Sequence, residues 1–235
     1  MKSILFFTII LHVLTQANKH TIDTDVLDTY VEENGGNGDL LLFHGNDPIS
    51  RCIRVLSQSS ISHCALLIRD PIYIHKSLKG LYVMESSRFK NPYKRDIHLV
   101  PFHKIIDREK QLGNQVYWRS LYDKKRLCNT DLYDIYNTIK DGKYDLSIEH
   151  WFKAFQVRKY KIKTSFFDQK QFDCSALVGY YYNRLGILSR DQDWTTLSPA
   201  SFFSKDKNRV NIMYPYYLRP ERRIITYFKK KNKIQ

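Results

Sequence analysis

Residues 171–186 read QFDCSALVGYYYNRLG, and this stretch carries the clearest pattern in the chain. Its apolar residues recur at the spacing of one helix face: Ala176, Leu177, Tyr180, Tyr181 and Leu185. Asp173 is a suitable N-cap, and Gly186 is a suitable C-terminal stop. The sequence therefore predicts a helix that begins at Cys174.

Cys174 then lies on the first turn of this helix, beside unpaired backbone N–H groups and the positive end of the helix dipole, which stabilise a thiolate. The thiol is a candidate nucleophile, and its own amide N–H is a candidate oxyanion donor. The alternative is a small apolar residue at the start of a core helix. This stretch by itself does not separate the two interpretations.

A cysteine hydrolase also needs an imidazole and a polar group that orients the imidazole. Residues 63–69 (HCALLIR) and 81–87 (LYVMESS) have the pattern of two strands, joined by a long hairpin connection. If they pair antiparallel with His63 opposite Glu85, both side chains project from one face. His63 is then the candidate base and Glu85 its orienting group, whereas Cys64 points to the opposite face and is predicted to be core.

The other histidines have no carboxylate at a spacing that would orient them: His44, His75, His98, His103 and His150. The four cysteines contain no C-x-x-C pair, which argues against a disulfide framework and a structural zinc site. A metal site built from His63, Cys64 and Glu85 lacks ligand spacing. No metal or organic cofactor is implied.

Length and composition predict a globular protein with one main domain, since 43% of the 235 residues are hydrophobic. The net charge of +14 would suit an anionic membrane surface. The basic residues are spread along the chain without a known nucleic-acid motif, so nucleic-acid binding is not expected. Before the predicted strand at residues 63–69, Ile49, Cys52, Ile53 and Leu56 have helical spacing.

The predicted organisation has four parts. Residues 1–17 form an apolar run typical of a signal peptide or hydrophobic anchor, although His12 would also suit a buried first helix. Residues 18–37 form a polar leader, residues 38–218 the catalytic domain and residues 219–235 a basic tail. If the first segment is a signal, the protein is secreted or membrane-associated.

Five motifs occur in a specific order along residues 38–205: GDLLLF at 38–43, SHCALL at 62–67, YVMESS at 82–87, FDCSALV at 172–178 and WTTLSPASFF at 194–203. This ordered set resembles the permuted papain-like amidases of the YaeF/YiiX type, a branch of the NlpC/P60 superfamily that includes poxvirus members. The order of histidine, glutamate and then cysteine is that of the circularly permuted branch.

The resemblance implies an α+β, circularly permuted papain-like fold, with a small antiparallel sheet and the cysteine helix packed on it. It also implies Cys174 as nucleophile, His63 as base and Glu85 as orienting residue, in agreement with the roles assigned above. The expected reaction is hydrolysis of an amide or peptide-type acyl bond through an acyl-enzyme. The alternatives are the same chemistry on lipid acyl groups at a membrane surface, and a non-catalytic basic binding protein.

Overall fold

The architecture is α+β, as the sequence predicts. The computed structural model describes residues 24–91, 94–124, 127–144, 156, 160 and 171–225. Its helices are α1 (Thr24–Asn34), α2 (Pro48–Ser57), α3 (Phe102–Leu112), α4 (Asn129–Ile139) and α5 (Cys174–Arg184), with 3₁₀ turns at Trp194–Thr196 and Pro199–Phe202. Its strands are β1 (Leu40–His44), β2 (His63–Arg69), β3 (Leu81–Asn91), β4 (Lys94–Pro101), β5 (Gln115–Arg119), β6 (Leu121–Tyr122), β7 (Lys143–Tyr144), β8 (Gln171–Phe172), β9 (Tyr217–Leu218) and β10 (Arg222–Ile225).

Within the described part of the chain, the main sheet has eight strands in the order β10-β5-β1-β2-β3-β4-β7-β8. It is therefore larger than the small sheet expected. The pairs are antiparallel except for β7 and β8, which run parallel. His63 lies on β2 and Glu85 lies on β3. These two strands are neighbours at the centre of the sheet.

Residues at both ends of the predicted catalytic domain add elements to the fold. Part of the polar leader forms α1, whose Val31 is fully buried. Part of the basic tail forms β10, which pairs with β5 inside the main sheet. Between Val210 and Leu218 the structure has one bridge, at Ile212, and the short β9. The apolar N-terminus, residues 1–17, lies outside the described residues.

Two layers of apolar side chains cover the two faces of the sheet. Consecutive strand residues point to opposite faces, so β2 contributes Cys64 and Leu66 to one layer and Ala65 and Leu67 to the other. Helix α5 packs in the first layer, and α3 packs in the second. No helix in the described part of the chain has the length and apolar character needed to cross a bilayer.

Helix α5 is held firmly in its layer, because every residue from Cys174 to Tyr182 is buried. Gly179 permits this close packing. A Cβ added there would lie 2.9 Å from the Trp194 Cβ and 2.9 Å from the Leu197 Cδ1. The glycine therefore sets how near the helix approaches the 3₁₀ turn that follows it.

Replacing Gly179 by alanine tests this packing. Helix propensity alone would stabilise the protein by about 1 kcal/mol. The close contacts with Trp194 predict the opposite, a destabilisation of roughly 1–3 kcal/mol from overpacking. Urea denaturation of Gly179→Ala and wild type measures the difference, and a variant as stable as wild type would contradict the packing described here.

Candidate active site

Cys174 is the first residue of α5 and is 7% exposed. The carboxylate of Asp173 caps the helix, because its Oδ1 accepts hydrogen bonds from the Ala176 N–H at 2.6 Å and the Ser175 hydroxyl at 2.9 Å. The amide N–H of Cys174 belongs to the first turn, whose donors have no partner within a helix. The predicted position of the thiol at a helix N-terminus is thus confirmed.

The pKa of the Cys174 thiol is lowered well below its usual range. A hydrogen bond from the Cys64 side chain lowers this pKa most, and burial opposes the shift. The charge and hydrogen bond of His63 and the backbone of Cys64 lower it further. The thiolate is the reactive form of cysteine, so a lowered pKa is a property that a nucleophilic cysteine needs.

His63 is the first residue of β2, and its side chain is 22% exposed. Its Nε2 lies 3.1 Å from the Oε2 of Glu85. Burial lowers the pKa of the imidazole, but the charges and hydrogen bonds of Cys174 and Glu85 outweigh it and raise the pKa to about 10. Since Nε2 faces Glu85, Nδ1 is the ring nitrogen left for the sulfur.

The carboxylate of Glu85 is 1% exposed and is held by Arg108, a residue that the sequence analysis did not identify. The guanidinium donates to both oxygens, from Nη1 to Oε1 at 2.7 Å and from Nη2 to Oε2 at 3.2 Å. Burial would raise the pKa of Glu85, but the His63 hydrogen bond and the Arg108 charge lower it far below its usual range. Glu85 is therefore a buried anion between two cationic groups.

Arg108 is itself held in place by a chain of hydrogen bonds. Its Nε donates to the Oε1 of Glu109 at 2.6 Å, and the amide of Asn114 donates to the Oε2 of Glu109 at 2.7 Å. The Oδ1 of Asn114 in turn accepts from the backbone N–H of Asn46 at 2.9 Å. These bonds link the end of α3 to the loop that follows β1.

The register of β2 and β3 differs from the predicted one by two residues. Leu67 pairs with Val83, whereas placing His63 directly opposite Glu85 would require Leu67 to pair with Leu81. A shift of two residues keeps every side chain on the same face of a sheet. For this reason His63 and Glu85 still meet, as diagonal neighbours and not as a directly opposed pair.

Cys64 has a second property besides its predicted place in the core. It is fully buried, on the face opposite His63, and this is the face on which α5 packs. Its side chain and backbone both lower the pKa of Cys174. Two consecutive residues of β2, on opposite faces of the sheet, therefore both lower the pKa of the same thiol.

The chain has only a low level of similarity to the known proteins with which it was compared. No family model matches the chain, and no curated protein matches it. Among solved structures, the chain is similar to the metalloprotein YiiX from Escherichia coli O157:H7, with 16% sequence identity and a TM-score of 0.43 over 66% of this chain and 69% of that chain. A likeness at this level does not assign a reaction, a metal or a substrate to the chain.

Removing Arg108 from its ion pair with Glu85 should lower the free energy of unfolding substantially. Arg108→Met leaves a buried carboxylate without its guanidinium, and we expect a loss of about 3–5 kcal/mol near neutral pH. Arg108→Lys should recover only part of this loss, because an ammonium group cannot replace the two-pronged contact. Arg190→Met, at an exposed position, is the matched control.

The pH dependence gives a second readout of the same pair. The folded-state pKa of Glu85 is lowered, so its contribution to stability is present above the unfolded pKa of 4.5 and is lost as the pH falls below it. Because Arg108→Met weakens this shift, the variant should lose less stability on acidification than wild type. Urea denaturation across this pH range measures both effects, and parallel pH profiles would contradict the assigned pair.

Proposed function

We propose that the protein is a cysteine hydrolase that cleaves an amide or peptide-type acyl bond through an acyl-enzyme on Cys174. The observation that carries this proposal is the arrangement of the site: Cys174 begins α5, and the Nε2 of His63 lies 3.1 Å from the buried carboxylate of Glu85. The lowered pKa of Cys174 and the raised pKa of His63 agree with a Cys174–His63 pair. Such a pair is a thiolate beside an imidazolium, which is the reactive state of a cysteine nucleophile.

In the proposed acylation step, the Cys174 thiolate attacks the carbonyl carbon and forms a C–S bond, while the carbonyl π electrons move to oxygen. The amide N–H of Cys174 stabilises the oxyanion. As the intermediate collapses, the C–N bond breaks and the imidazolium of His63 donates its proton to the leaving nitrogen. The product is a thioester on Cys174 and a free amine.

In the deacylation step, the neutral imidazole of His63 takes a proton from water, and the resulting hydroxide attacks the thioester carbonyl. The C–S bond then breaks, so that the acid leaves and the ion pair is restored. Glu85 stays ionised throughout, because Arg108 and His63 lower its pKa. Its role is to fix the orientation and tautomer of the imidazole and to stabilise the imidazolium.

We also propose that the fold is a circularly permuted papain-like fold of the YaeF/YiiX type in the NlpC/P60 superfamily. Three features support this proposal: the chain order of His63, Glu85 and Cys174, the packing of α5 on one face of the sheet, and an antiparallel β1-β2-β3 core. The substrate is proposed as an amide or peptide, with a lipid acyl group as the second candidate because an exposed amphipathic helix adjoins the strand of His63.

Acyl-enzyme trapping tests the proposed function. We expect p-nitrophenyl acetate to give a burst of p-nitrophenolate equal to the protein concentration, with one acetyl group on Cys174 by peptide mass spectrometry. Cys174→Ala should abolish the burst, and His63→Ala should slow acylation about 100-fold or more. Cys52→Ala and Cys128→Ala remove the two exposed thiols and should leave the burst intact.

Acetylation confined to the exposed cysteines would contradict the assignment of Cys174, as would an undiminished burst in Cys174→Ala. Matched amide and ester substrates that share one acyl chain then measure the preference of the enzyme through kcat/KM. A short-chain amide preference would favour the first substrate class, and a strong gain with acyl-chain length would favour the lipid class.

A further inference from the structure

Helix α2 forms the connection between β1 and β2, and the chain that leaves it returns directly to His63. Asp47 caps its N-terminus by accepting from the Ser50 N–H at 3.0 Å. Arg54 donates from Nη1 to the Gly45 carbonyl at 2.7 Å, and Arg51 donates from Nε to the Asn46 carbonyl at 2.9 Å. The helix is thus fixed to the sheet end that carries His63 by polar contacts with the preceding loop.

The outer face of α2 is apolar. No residue of this ten-residue helix is buried. Pro48, Cys52 and Val55 follow the i, i+4, i+7 spacing of one helix face, and Ile49 precedes Cys52 by three residues. Val55 is 76% exposed and Ile49 is 50% exposed. An amphipathic helix normally buries its apolar face, so these four side chains, which we call the α2 apolar face, require a partner.

The charges of α2 indicate the chemistry of that partner. The helix contains two arginines and no carboxylate. A short helix with an apolar face and only basic charges has the character of a helix that lies in the interface of an anionic bilayer.

The size of the α2 apolar face favours a bilayer over a protein partner. A helix of ten residues is about 15 Å long. Four side chains on it fall far below the roughly 800 Å² that each partner contributes to a stable protein–protein interface. A lipid surface needs no such area, because the net charge of +14 adds long-range attraction to anionic headgroups.

We propose that α2 docks the protein on an anionic lipid bilayer, with Pro48, Ile49, Cys52 and Val55 inserted at the boundary between headgroups and acyl chains. Arg51, which is exposed beside Val55, contacts lipid phosphates. Docking places the His63 end of the sheet at the bilayer. This binding does not depend on the proposed hydrolysis and persists in Cys174→Ala, so the two proposals fail separately.

Vesicle flotation of the full chain tests the docking surface. Wild type and Cys174→Ala should bind vesicles of phosphatidylcholine with phosphatidylserine, and bind phosphatidylcholine alone much less. The double variant Ile49→Glu with Val55→Glu should lower partitioning about tenfold or more, because both side chains leave the apolar phase. Ile72→Glu makes the same change at a 46% exposed position in the connection between β2 and β3, at the other end of the sheet, and should bind as wild type.

Cys52 provides a local readout, because it is an exposed natural cysteine within the α2 apolar face. In a Cys128→Ser, Cys174→Ala chain, an environment-sensitive fluorophore on Cys52 should shift to the blue on anionic vesicles and resist an aqueous quencher. The same label on Cys128, in a Cys52→Ser, Cys174→Ala chain, should remain in water.

Three results would overturn the proposal. The first is no binding to anionic vesicles, and the second is full binding by the double variant with the Cys52 label still in water, which would place the membrane contact elsewhere. The third is a concentration-dependent dimer that the double variant abolishes, without any lipid binding, which would show that a second copy of the chain covers α2.

Discussion

The buried ion pair between Arg108 and Glu85 is the interaction on which the candidate site depends. A carboxylate that is 1% exposed is tolerated in the folded protein only because Arg108 supplies a charge and two hydrogen bonds, and His63 supplies a third. The ionised carboxylate raises the pKa of His63, and the charge of His63 helps to lower the pKa of Cys174. The protonation state of the Cys174 sulfur therefore depends on the guanidinium of Arg108, which extends from α3 to the carboxylate of Glu85.

The two faces of the sheet cooperate at the sulfur of Cys174. His63 belongs to the face covered by α3, and Cys64 belongs to the face covered by α5, yet both lower the pKa of the same thiol. His63 can act from the other face because it is the first residue of β2 and therefore lies at the end of the strand. The α5 dipole, the Cys64 hydrogen bonds and the His63 charge thus act together on one atom.

The sequence predicted the start of α5 at Cys174 and the common face of His63 and Glu85, because helix capping and strand parity are local properties. It did not predict the register of β2 and β3, since a shift of two residues keeps the same apolar face and the long connection at residues 70–80 does not fix the pairing. Helix α3 was missed because Glu109 occupies a buried position on the face that Phe102, Ile105 and Ile106 begin, so the apolar periodicity stops after one turn. Pro101 before that run and Gly113 after it were the available signals. The contact of Arg108 with Glu85 has no sequence signature, because the two residues lie 23 positions apart on different elements and only the packing of α3 brings them together.

The most direct test of the account is the pKa of Cys174, measured from the pH dependence of iodoacetamide labelling with mass-spectrometric assignment of the site. The account predicts a thiolate that titrates well below the free-cysteine value of about 8.5 in wild type and a pKa that rises towards that value in His63→Ala. A Cys174 that resists labelling, or one that titrates near the free value in both proteins, would contradict the thiolate–imidazolium pair and leave Cys174 as a residue of the core.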